Sequence, residues 1–150
     1  MSANGPIVER WVERTIASYP AEMLPFLSGE QDPFRNPVGH TLRENLATLV
    51  HELLGTMDKQ AIAPALDAII RLRAVQSFSP AEAVRFVFEL RTAVRETSSA
   101  VPESFQNRID ELALMAFDQF MTCREQIFEL RARELKLHAQ FAASAEGGTR

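Results

Sequence analysis

The chain has 150 residues, of which 46% are hydrophobic and 24% are charged, and its formal net charge is −4 at pH 7. This composition is that of a globular domain and excludes disorder for the bulk of the chain. The excess of acidic residues argues against sequence-independent nucleic-acid binding, which needs clustered Lys and Arg to neutralise phosphates. A single cysteine, Cys123, excludes an internal disulfide and a cysteine-based zinc site, and it favours a cytoplasmic location. The longest apolar run, residues 112–117, is far shorter than the roughly 20 residues that span a bilayer.

Two amphipathic helices are predicted in the first third of the chain. Pro6 suits the first turn of the first helix, because a proline there removes an N–H that would be unpaired anyway. Prolines then interrupt residues 20–37, where we expect only a short helical turn over residues 22–27. Asn36 is predicted to cap the second helix and Gly55 to end it.

The third and fourth helices have contrasting start signals. Asp58 is a candidate cap for the third helix, but Pro64 falls where its ring clashes with an earlier carbonyl, so we expect a kink or a restart. Ser79 and Glu82 form the capping-box pattern at the start of the fourth helix, which is predicted to run to about Glu96.

A fifth helix is predicted over residues 103–142, which contain neither proline nor glycine. At 1.5 Å per residue it would be about 60 Å long, which exceeds the width of a compact domain of this size. Part of it is therefore expected to project. The pattern as a whole predicts an all-α fold, with one domain over residues 6–142, a flexible N-terminus at residues 1–5 and a flexible tail at residues 143–150.

The apolar pattern of the long helix changes along its length. Its first half is apolar over a wide arc, which predicts burial for these residues: Phe105, Ile109, Leu112, Ala113, Met115, Ala116, Phe117 and Phe120. Its second half follows alternating spacings of three and four, a heptad seam made of Phe120, Cys123, Ile127, Leu130, Glu134, Leu137 and Phe141. Phe128 and Leu135 lie outside that seam. We interpret the seam as a surface for a second copy or for passing a signal, and the alternative is a helix packed wholly on its own domain.

Two arginines, Arg73 and Arg91, fall on the apolar faces of the third and fourth helices. A guanidinium stays charged in a protein, so each must reach water, pair with a carboxylate or meet an anionic ligand. A rim arginine that is paired internally is the simplest interpretation. The ligand-site hypothesis is a pocket in which Arg73 and Arg91 bind an acidic small molecule.

The histidines and the cysteine give little indication of chemistry. His40 and His51 lie opposite the leucine stripe of the second helix, about 16 Å apart, so they cannot share one metal, although either could hold a haem iron. His138 is expected to be solvated, and Cys123 to be a buried structural thiol. No phosphate loop, zinc-protease motif or nucleophile elbow occurs, so the chain is not predicted to be an enzyme.

Three stretches carry a family resemblance: residues 32–42 (DPFRNPVGHTL), 70–86 (IRLRAVQSFSPAEAVRF) and 123–131 (CREQIFELR). The chain resembles the N-terminal domain of RsbR-type proteins, the co-antagonists of the RsbT kinase that build the bacterial stressosome. That resemblance implies a sensory, all-helical and globin-like domain without haem, which dimerises and passes a signal through its C-terminal helix. Members of the family carry a STAS output domain, whereas this chain stops just after the helix that would lead into one, so the phosphorelay role is not carried over.

The sequence therefore favours a non-catalytic sensor or regulatory domain that forms a homodimer, acts on another regulatory protein and needs no cofactor, nucleic acid or membrane. The alternative is a globin-like domain that binds an acidic metabolite or haem.

Overall fold

The computed structural model describes residues 4–24, 36–76 and 78–147. All regular structure within these ranges is helical, which confirms the all-α prediction. The α-helices are α1 (Gly5–Ala17), α2 (Pro37–Leu54), α3 (Lys59–Ala74), α4 (Pro80–Glu96) and α5 (Ser104–Gly147), with a 3-10 turn at Ala21–Met23 after α1.

Three of the helices begin at the predicted caps. The Asn36 side chain accepts a hydrogen bond from the Gly39 N–H at 2.9 Å, and Asp58 accepts one from the Gln60 N–H at 2.9 Å. The Ser79 hydroxyl accepts from the Glu82 N–H at 3.2 Å and donates to the Glu82 carboxylate at 2.9 Å. Each side chain satisfies an N–H that has no partner within its helix.

The structure differs from the expected helix boundaries at three places. A kink or a restart was expected at Pro64, and of these the restart does not occur, because α3 is one helix through Pro64. Helix α5 continues to Gly147, beyond the expected end at Ala142. The turn expected over residues 22–27 is a 3-10 turn at Ala21–Met23, and residues 25–27 lie outside the described part of the chain.

The core lies where α2, α3 and α4 pack on the first half of α5, and α1 packs on α2 and α4. Trp11 of α1 is fully buried, stacks on Phe86 of α4 at 6.2 Å between ring centroids, and donates its indole N–H to the Phe86 carbonyl at 2.6 Å. Buried tryptophans need such a partner for their N–H. Arg108 of α5 donates to the carbonyls of Leu53 and Gly55, so α5 is also tied to the end of α2.

Candidate functional site

The first half of α5 anchors the helix in the domain. Its buried side chains lie on one face and confirm most of the predicted burial: Phe105, Ile109, Leu112, Ala113, Ala116, Phe120 and Cys123. Met115 packs against the core while partly exposed. Phe117 was predicted to be buried, and that prediction was wrong, because 46% of it is exposed. Phe117 follows the buried Ala116 and is turned about 100° from it, which takes its ring off the core face.

The second half of α5 projects from the domain. All residues from 128 to 146 are exposed, a length of about 28 Å at 1.5 Å per residue. The predicted seam therefore runs from the core onto a bare helix. Phe120 and Cys123 are buried in the chain's own domain and Ile127 is half-buried, whereas Leu130 and Leu137 are 58% and 52% exposed and Phe141 is 73% exposed.

A second apolar stripe, which the sequence analysis did not identify, lies on another side of α5. Leu114, Met121, Phe128 and Leu135 recur every seven residues, and Phe117 lies between the first two; all five are exposed. We call these five residues the outer stripe. The seven-residue spacing is visible in the sequence, but Leu114 and Phe117 fall within the segment that was interpreted as core.

Arg73 is buried completely among aromatic rings. Its guanidinium donates to the backbone carbonyls of Ala83 at 2.6 Å and Glu82 at 2.8 Å, and to the Ser18 hydroxyl at 3.1 Å. Among the described residues no carboxylate lies within ion-pair distance of it. Instead, its guanidinium carbon lies 4.7 to 5.2 Å from the ring centroids of three aromatic residues, which stabilise a cation through their electron-rich faces: Tyr19, Phe78 and Phe86.

Burial changes the acid–base behaviour of Arg73 and its neighbour Tyr19. Desolvation lowers the pKa of the Arg73 guanidinium from its ordinary value. Desolvation also raises the pKa of the Tyr19 phenol, and the positive charge of Arg73 opposes that rise in part. The two groups therefore form one buried, cationic and aromatic cluster behind the start of α4.

Arg91 lies at the rim of the core and not inside it. It donates to the Gln106 side chain at 2.6 Å and to Asp110 at 2.8 Å, and so joins α4 to α5. Arg91 is eight residues beyond Ala83, the carbonyl that Arg73 contacts, which places it about 12 Å further along the α4 axis. The two arginines contact different groups, and their joint role in binding an acidic ligand stays a prediction.

The remaining candidates lie apart from one another. His40 pairs with Glu44 at 3.2 Å, and His51 and His138 are exposed. Cys123 is buried, as expected for a structural thiol. In residues 4–24, 36–76 and 78–147, no three His, Cys, Asp or Glu side chains group closely enough to hold a metal ion. Likewise, no helix in these ranges is both long and apolar enough to cross a membrane.

The fold is thus an all-helical domain with a protruding amphipathic helix, and comparison with known proteins assigns that domain to a family. The chain matches the RsbT co-antagonist protein rsbRD N-terminal domain over residues 5–135. It belongs to this family of regulatory domains, which confirms the resemblance seen in the sequence. A relative in Archaeoglobus fulgidus, described as an uncharacterized protein, is 30% identical over 134 residues, which are 85% of this chain and 82% of the relative. No solved structure matches the chain.

Proposed function

We propose that this chain is a non-catalytic, cytoplasmic sensor domain that dimerises through the projecting half of α5 and passes a signal along that helix to another regulatory protein. The observation that carries the proposal is the exposure of Leu130, Leu137 and Phe141 at heptad spacing on a helix that has left its own core. Large exposed apolar surfaces on soluble domains mark sites of association.

Packing against a partner would stabilise the projecting half of α5, whose apolar side chains are exposed. Isolated helices in water are marginal, and most helical stability in proteins comes from packing an amphipathic face. Leu130, Leu137 and Phe141 contribute nothing to their own domain's core, because each is more than half exposed. Covering such side chains with a second helix stabilises the pair by about 1.5–3 kcal/mol per side chain that becomes fully buried.

A second copy of the same helix is the partner that fits the seam. Two parallel copies would place each seam residue opposite its own counterpart, as in a two-stranded coiled coil. Glu134 lies in the seam between Leu130 and Leu137 and is exposed in the single chain. Two facing carboxylates would weaken the pair, which suits an interface that a signal has to change.

Sedimentation equilibrium of the full chain tests the proposal. We expect a dimer for the wild-type protein and a shift towards monomer for Leu130→Glu combined with Leu137→Glu. The matched control is Ala132→Glu combined with Ala139→Glu, which adds the same charge at exposed positions on the side of the same helix opposite the seam. Equal weakening of the dimer by both double variants, or a wild-type protein that is monomeric at high micromolar concentration, would overturn the proposal.

A further inference from the structure

A pocket of about 360 Å³ lies where α5 leaves the domain. One wall is formed by the end of α3 and the residues after it, including Val75, Gln76 and Phe78, and the other by one face of α5. The volume lies within the range of sites that hold small organic molecules. The pocket spans the boundary between the anchored and the projecting half of the helix.

The charged residues that line the pocket are both arginines, Arg124 and Arg131. They are seven residues apart on α5, so they lie on the same face with about 10.5 Å of helix rise between them. Arg124 donates weakly to the Phe78 carbonyl at 3.4 Å and lies 5.4 Å from the Phe120 ring centroid. Neither arginine has a carboxylate at ion-pair distance within the described ranges.

The buried Arg73 adds a third positive charge behind the pocket wall. Its guanidinium stacks on Phe78 at 4.7 Å, and Phe78 itself lines the pocket. Arg73 is held by two carbonyls and a hydroxyl, none of which neutralises its charge. An anion in the pocket would therefore interact with Arg73 through a single aromatic ring, where water does not screen the interaction fully.

Apolar side chains line the pocket between the two arginines. Ile127 lies three residues after Arg124 and four before Arg131, so its side chain is between them on the same face. Phe128 and Phe78 complete this surface. A ligand that matches two cations with apolar side chains between them is an anion with a hydrocarbon part.

We propose that this pocket binds a small organic carboxylate, whose acid group pairs with Arg124 or Arg131 and whose hydrocarbon part covers Ile127, Phe128 and Phe78. Arginine suits this role because its planar fork matches the two oxygens of a carboxylate. This site adds a ligand to the proposed sensor function. The role of that ligand as the sensed signal rests on the proposed function. A ligand here would tie the α3–α4 connection to α5 at the point where the helix starts to project.

Isothermal titration of the full chain with octanoate tests the site, with octanol as the uncharged counterpart. Octanoate is expected to bind saturably and at least about tenfold more tightly than octanol, as charge-assisted hydrogen bonds predict. The single variant Arg131→Gln, at an exposed position, is expected to lose about tenfold in octanoate affinity, and Arg124→Gln combined with Arg131→Gln more. Arg133→Gln is the matched control, because Arg133 is exposed on the same helix and does not line this pocket.

The proposal is overturned if octanoate shows no saturable binding up to about 10 mM, a concentration that detects millimolar affinity. It is also overturned if octanol binds equally well, or if Arg131→Gln and Arg133→Gln behave alike. Sedimentation of the same samples distinguishes failure of this proposal from failure of the proposed dimer. A dimer that does not bind octanoate overturns only the ligand site, and a monomer that binds octanoate overturns only the dimer.

Discussion

Phe120 and Phe141 occupy equivalent positions of one heptad pattern on α5, yet Phe120 is fully buried in its own domain while Phe141 is 73% exposed. The same apolar face thus begins as core and ends as surface. One helix therefore takes part both in the core of the domain and in the exposed surface at its far end.

Glu134 is the polar interruption of the seam, and its replacement should strengthen the proposed dimer. In a parallel pair two Glu134 carboxylates would face each other, whereas two leucines would pack. We expect Glu134→Leu to tighten dimerisation by about tenfold or more, measured as the dissociation constant from sedimentation equilibrium. Glu129→Leu, at an exposed position on another side of α5, serves as the control and should leave the constant unchanged. A weaker dimer in Glu134→Leu would show that Glu134 does not face its counterpart.

Tyr19 is the only tyrosine of the chain, so its ionisation can be followed by ultraviolet absorbance. Because burial raises the pKa of its phenol above the ordinary value of 10.0, the native protein should titrate at higher pH than the urea-unfolded chain. The unfolded phenol then ionises first, so the stability contribution is complete below pH 10 and is lost as the pH rises towards the folded pKa. Tyr19→Phe should lose less stability over this interval, as judged from urea unfolding at each pH. Coincident native and unfolded titrations would contradict the buried position of Tyr19.

The cap of α2 leaves no room for a side chain at Gly39. A Cβ at position 39 would clash with the Asn36 side chain, which caps the helix by accepting the Gly39 N–H. Gly39→Ala should therefore displace the cap. We expect it to lower the free energy of unfolding by about 1 kcal/mol relative to Gly5→Ala, as measured by urea denaturation. Gly5 is the matched control, since a Cβ there meets nothing within 4 Å. Equal stabilities of the two variants would show that the cap adapts.

Local signals in the sequence predicted the helix starts well, because a cap is decided by residues close together in the chain. Asn36, Asp58 and Ser79 each hold an N–H two or three residues away. The long C-terminal helix was equally predictable, since no proline interrupts it. Its end near Gly147 was not, because helix ends depend on weak terminal turns.

Contacts between distant segments explain what the sequence did not predict. Arg73 was expected to face the core, but its acceptors lie on Ser18 and in the first turn of α4, which only the tertiary structure brings together. The pocket beside Arg124 and Arg131 also depends on tertiary structure, since its walls come from residues 74–76, from Phe78 and from one face of α5. For Phe117 the prediction of burial was wrong, because this apolar residue lies next to the core face of α5 and not on it.

Oxidative cross-linking through a cysteine placed in the seam tests the central claim most directly. In two parallel, side-by-side helices, the cysteine introduced by Leu130→Cys lies opposite the same cysteine of the second copy. The cysteine introduced by Glu129→Cys is turned about 100° away from that position. The native Cys123 is buried, so the introduced thiol is the reactive one. We predict that Leu130→Cys forms a disulfide-linked species of twice the chain mass of 16.8 kDa under mild oxidation and that Glu129→Cys does not. No cross-link from Leu130→Cys, or equal cross-linking of both variants, would contradict dimerisation through this seam.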